Sequence, residues 1–107
     1  MSSNVEYIFD VATPLGFLVR STEVYWKIIT TIKHPVMADK LDAVKNTLSD
    51  PDEIRQSKSD PQVLLFYRTI RRACWLCAVV KRLNGMGFLV TAYPTENIKE
   101  GKQIWKK

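Results

Sequence analysis

The sequence predicts an α+β fold: two N-terminal helices packed on an antiparallel sheet of about four strands, preceded by an extra β-hairpin. Three observations carry that expectation. Asn84-Gly85, the dipeptide that most readily takes positive φ in a tight turn, joins two apolar runs rich in β-branched and aromatic residues. Residues 63–70 alternate Val63, Leu65, Tyr67 and Thr69 against Leu64, Phe66 and Arg68, the period of a strand. Between residues 22 and 48 the apolar side chains return at helical spacing instead.

In chain order, 107 residues make one domain, 1–107, with a single modest core. Residues 5–11 and 17–20 read as short strands of a hairpin, 5–20, at or beyond the edge of the sheet. Thr13-Pro14-Leu15-Gly16 joins them with proline second and glycine last, as a β-turn asks. Thr22 then suits an N-cap, with Glu23 in the first turn. Tyr25, Ile28, Ile29 and Ile32 form one stripe, but the β-branched content leaves this helix to be held by packing rather than propensity. It stops by Lys33, because His34 precedes a proline. Pro35 opens a second helix with His34 at its N-cap, and Met37, Leu41, Val44 and Leu48 face the core.

The sheet is expected over residues 53–93. Glu53, Arg55 and Ser57 share one face of a short strand, 53–58, with Ile54 and Gln56 on the other. After the strand 63–70, Arg71-Arg72 turns into a central hairpin of residues 75–82 and 88–93. Its near-continuous apolarity implies that both sheet faces are at least partly covered. Beyond Pro94, residues 95–100 resemble one helical turn closed by Gly101, and Trp105 folds back on the body within a basic tail, 95–107.

Sixteen Lys and Arg against eleven Asp and Glu give a net charge of +5, which favours polyanions such as nucleic acid or an anionic membrane surface, although many small basic proteins bind neither. No apolar run approaches the ~18 residues needed to span a bilayer. The first residues carry no charged segment followed by an apolar one, so a cytoplasmic protein without a membrane role is expected. Cys74 and Cys77 have the spacing of a redox or zinc motif. On a strand, however, residues i and i+3 point to opposite faces, so the two thiols read as small buried groups in a reducing compartment. No metal or cofactor site follows from the residues. P-loop, dinucleotide and nucleophile-elbow patterns are missing.

His34 is the only histidine, and the only side chain whose unperturbed pKa lies near neutrality. At a helix N-terminus it would stay a neutral proton acceptor beside backbone amides that attract phosphate, with Lys33 adding charge. Taken alone, the same residue fits better as a surface histidine that happens to precede a helix. Arg55 and Ser57 share a strand face, as do Thr91 and Tyr93. Either Lys81 or Arg82 joins the Thr91 face: an even loop brings Arg82, a bulged one Lys81. Each of these cations also fits a solvated surface role, and Tyr67 and Tyr93 also fit the core.

With these residues laid out, the chain resembles small prokaryotic proteins of the barnase–EndoU–colicin–RelE-like nuclease fold, in its phage-associated branch. The likeness rests on Lys33-His34-Pro35-Val36-Met37, on Asp50-Pro51 with Ile54-Arg55-Gln56-Ser57 and Asp60-Pro61, and on Val90-Thr91-Ala92-Tyr93. Trp26 and Ile104-Trp105 fit as well. The resemblance implies N-terminal helices against a sheet of about four strands. It also implies a metal-independent endoribonuclease, the toxin of a toxin–antitoxin pair, with RNA and a small cognate antitoxin protein as partners. Others of the superfamily have lost catalysis, so a non-catalytic basic module binding RNA or protein is the alternative. Cleavage by the ribose 2′-hydroxyl needs a base, an acid and positive charge on the phosphorane-like state. His34 takes the first or second role, and Arg55 and Lys81 the charge. Ser57 and Thr91 are hydrogen-bond donors or orienters, and Tyr67 an alternate acid or a stacking platform.

Overall fold

A computed structural model describes residues 6–98 and 101–107. The expected strand start at Val5 and the end of the expected turn 95–100 therefore lie outside the described residues. Seven strands form one mixed sheet: β1 (Tyr7–Ala12), β2 (Leu18–Thr22), β3 (Glu53–Gln56), β4 (Val63–Arg71), β5 (Cys74–Leu83), β6 (Met86–Thr95) and β7 (Lys102–Lys106). Their spatial order is β1-β2-β6-β5-β4-β3-β7. Every neighbouring pair is antiparallel except β2 and β6, which run parallel through Val19↔Gly87 and Arg20↔Phe88.

This corrects the expected architecture of two helices on a four-stranded antiparallel sheet. Two segments make the difference. The N-terminal hairpin is no appendage, because the parallel pairing of β2 with β6 carries it into the sheet. Gly87 permits that joint: a Cβ there would sit 2.8 Å from Phe17, 2.9 Å from Val80 and 3.0 Å from Val19. The basic tail is the second segment. It forms β7 on the opposite edge, with Trp105 paired to Ile54 and packed against the core.

The helices are shorter than expected. Thr22 caps α1 (Glu23–Ile28) as predicted, its Oγ1 accepting from the Tyr25 amide at 3.1 Å. The chain then widens into a π-helical turn, Ile29–Lys33, instead of continuing as an α-helix. The β-branched run from Ile28 to Ile32 loses side-chain freedom in a helix, and the hydroxyls of Thr30 and Thr31 bond back to carbonyls of Trp26 and Lys27. After His34, Pro35–Met37 is only a 3₁₀ turn, and α2 (Leu41–Ser49) begins four residues later than its last residue.

The central hairpin forms as the sequence predicts. Asn84 and Gly85 both take positive φ, 53° and 77°, and Leu83 pairs with Met86 around a two-residue turn. On the inner face Ile54, Phe66, Leu76, Ala78, Val80 and Ala92 meet Trp26, Ile29, Met37, Val44 and Leu48 from the helical layer. Truncating one of the fully buried side chains, such as Ile54, costs about 2–5 kcal/mol. On the outer face Leu65, Tyr67 and Cys77 are buried beneath Trp75, Val79, Tyr93 and Ile98, so both faces are covered in part. Ile98 lies between β6 and β7, which stand on either side of β5, β4 and β3. Arg55 Nη1 ties this passage down by donating to the Gly101 carbonyl at 3.3 Å. Any Cβ on Gly101 would come within 2.8 Å of the Gln56 carbonyl oxygen. Cys74 and Cys77 are both buried and form no disulfide.

Candidate functional site

Strand register arranges the outer face in rows. Glu53, Tyr67, Cys77 and Tyr93 lie side by side; Arg55, Leu65, Val79 and Thr91 form the next row; Val63, Lys81 and Phe88 the third. Ser57 ends the third row, its amide donating to the Val63 carbonyl at 2.9 Å. Arg55, Ser57, Tyr67, Lys81 and Thr91 thus occupy one face of the sheet.

The choice between Lys81 and Arg82 is decided by a bulge rather than by the turn. The loop has two residues, which alone would bring Arg82 to the face of Thr91. Pairing then shifts from Leu89↔Val80 to Thr91↔Val79, leaving Val90 as an extra residue, and Lys81 comes to the Thr91 face. Arg82 lies instead over the ring of Phe17, 4.5 Å from its centroid.

The bulge also frees the Val90 carbonyl at a place where β6 has lost its strand partner, because β2 ends at Thr22. Helix side chains satisfy it. The Tyr25 hydroxyl donates to it at 2.8 Å, and Lys33 Nζ donates both to it, at 3.1 Å, and to Tyr25 Oη, at 2.9 Å. His34 follows Lys33 along this edge. Its imidazole lies on the ring of Tyr93, centroids 5.2 Å apart and planes inclined by 39°. His34 does not cap a second helix as expected. The residue heads a three-residue 3₁₀ turn whose first member is a proline without an N–H, too short to sum a dipole or cradle an anion.

The predicted groups therefore do not all converge. His34 meets Tyr93 at the β6 edge, and Thr91 lies two residues along β6 on the same face as Tyr93. Arg55 stands three strand spacings from Thr91, roughly 14 Å. Its Nε is ion-paired to Glu53 at 2.6 Å. Lys81 Nζ meets Asp60 Oδ2 at 2.6 Å, and that hydrogen bond holds the Asp60 carboxyl below its ordinary pKa. The Ser57 hydroxyl contacts that of Ser59 at 3.1 Å. Tyr67 is fully buried among Cys77, Tyr93 and Ile98, which removes it as a stacking platform for a base.

Two groups at this edge carry chemistry beyond the predicted set. Burial, reinforced by Cys77 and Tyr67, pushes the Tyr93 hydroxyl well above the usual phenol pKa, so at neutral pH it is a proton donor and not a base. Lys33 stands within hydrogen-bond reach of the bulge. The alternation in Thr91-Ala92-Tyr93 put the Tyr93 ring on the Thr91 face from the start; its contact with His34 depends on the fold. Thr91 Oγ1 is buried and has no hydrogen-bond partner among the described residues, a cost of about 1–3 kcal/mol for an unsatisfied hydroxyl.

Beside this edge, a cavity of about 380 Å³ opens between the β1–β2 hairpin and β6, lined among others by Tyr7, Arg20, Tyr25, Phe88 and Val90. Among the described residues no three or more His, Cys, Asp or Glu gather as metal ligands, and no helix is long and apolar enough to cross a membrane. The chain matches no family model, no curated protein and no solved structure.

Proposed function

We propose that this protein binds single-stranded RNA along the outer face of its sheet and cleaves it by internal transesterification. His34 removes the proton of a ribose 2′-hydroxyl. The resulting oxygen attacks the adjacent phosphorus, the bond to the 5′-oxygen breaks, and that oxygen takes a proton from water while protonated His34 returns its own to solvent, leaving a 2′,3′-cyclic phosphate and a 5′-hydroxyl. Lys33 supplies positive charge beside His34, and Lys81, two rows away on β5, contacts the RNA backbone. Arg55 and Ser57 act farther along the strand as contacts to the RNA backbone. The observation that carries this reading is the histidine on Tyr93, at the rim of a face that also bears Thr91 and Lys81.

A second reading, a basic module that binds RNA or protein without cutting, is favoured by the ion pairs that occupy Arg55 and Lys81. Incubating the protein with total RNA in EDTA and examining product ends separates the two. New 2′,3′-cyclic phosphate ends support cleavage; intact RNA that binds with a steep salt dependence supports the module. A toxin held by a small antitoxin, the form the resemblance implies, is tested by expression in a host with and without the adjacent open reading frame. Growth arrest relieved by the neighbour supports it, and equal growth counts against it.

A further inference from the structure

We infer that the cavity between the β1–β2 hairpin and β6 is a single-nucleotide subsite, holding the unpaired base next to the phosphate presented to His34. The inference rests on the RNA reading proposed above and gives the N-terminal hairpin its role. β2 and β6 pair at only two positions before β2 turns into α1 at Thr22, and the two strands part there. The slot opens on the outer face, because Arg20 pairs with Phe88 and Phe88 with Lys81.

Its walls suit a nucleotide. Phe88 and Tyr7 are each 41% exposed and line the cavity, so both present aromatic surface to it. The Arg20 guanidinium lies 4.7 Å from the centroid of the Tyr7 ring. Asp10 engages its Nε, at 3.2 Å, which leaves the two outer nitrogens of the fork for an anion. Lys33 adds a second cation beside the slot, its Nζ donating to Tyr25 Oη and to the Val90 carbonyl, both on lining residues. The volume of about 380 Å³ is that of a small-ligand site. Aromatic faces with flanking cations are how proteins hold unpaired bases irrespective of sequence. The slot neighbours the His34 edge in the chain, since Val90, which lines it, precedes Thr91 and Lys33, bonded to Val90, precedes His34.

The test is fluorescence anisotropy with a labelled eight-residue 2′-O-methyl oligouridylate, which lacks the attacking hydroxyl and so reports binding without cleavage. The parent, Phe88→Ala, Phe88→Trp and Arg20→Gln are compared over a salt series. Loss of one stacked base is expected to weaken binding by about tenfold in Phe88→Ala, with Phe88→Trp close to the parent. Arg20→Gln is expected to reduce the salt slope by about one. If the parent binds and Phe88→Ala binds equally well, the subsite is wrong while the RNA reading stands. A parent that binds neither this oligomer nor natural RNA overturns both.

Discussion

The imidazole of His34 rests on the phenol ring of Tyr93, with centroids 5.2 Å apart and planes tilted by 39°. The ring rather than the hydroxyl makes this contact, and the hydroxyl is held protonated by burial. Tyr93→Phe is therefore expected to keep cleavage within about threefold of the parent, while Tyr93→Ala loses about tenfold, the upper end of what an aromatic pair contributes. Initial rates at neutral pH distinguish the two. Equal losses in both variants would move the function to the hydroxyl.

Asp60 competes with any phosphate for Lys81, since the two side chains meet at 2.6 Å across a partly exposed pair. Asp60→Asn is expected to strengthen RNA binding several-fold and to steepen its salt dependence by about one counterion, whereas Lys81→Ala flattens it by the same amount. Titrations at a series of salt concentrations read both slopes.

Gly87 holds the parallel joint that carries the hairpin into the sheet. Three side chains crowd the place where a Cβ would go, so Gly87→Ala overpacks the β2–β6 contact and is expected to destabilise the fold by about 1–3 kcal/mol. A urea melt gives the value, and an unchanged midpoint would deny the close packing there.

Stability should fall in acid through the junction at residues 50–52. Burial opposes ionisation of Asp52, but the hydroxyl and amide of Thr69, bonded to its carboxylate at 2.7 and 2.6 Å, lower its pKa below the ordinary 3.8. Arg68, then Lys107, lowers that of Asp50. A carboxyl with a folded pKa below its unfolded one stabilises above pH 3.8 and loses that contribution as pH falls through the folded value. Asp52→Asn is expected to melt lower than the parent near neutrality and to approach it in strong acid. Thermal melts between pH 2 and 7 test the convergence.

The parts of this molecule that could be read from sequence are those whose signal is local. Asn84-Gly85 specified its turn, Thr22 its cap, and the alternation of residues 63–70 its strand. The parallel pairing of β2 with β6 left no such trace, because its partners Val19 and Gly87 are far apart in the chain and share no local pattern. β7 was hidden for another reason: of Lys102, Gln103, Ile104, Trp105 and Lys106, only Trp105 packs on the core, so an edge strand looked like a solvated tail. The first helix is short because its β-branched run, Ile28 to Ile32, also widens the backbone into a π turn. In the site, shared strand faces were legible for Arg55 with Ser57 and for Thr91 with Tyr93. What sequence could not supply was distance across strands, the partners of Arg55 and Lys81, and the burial of Tyr67.

The ribonuclease reading turns on one comparison: single-turnover cleavage of an unstructured RNA by the parent and by His34→Ala in EDTA, with circular dichroism melts of both. A general acid or base contributes about 10²–10⁴-fold, so the variant should cleave at least ~100-fold more slowly while melting like the parent. Equal rates, or a parent that leaves the RNA intact, would contradict it.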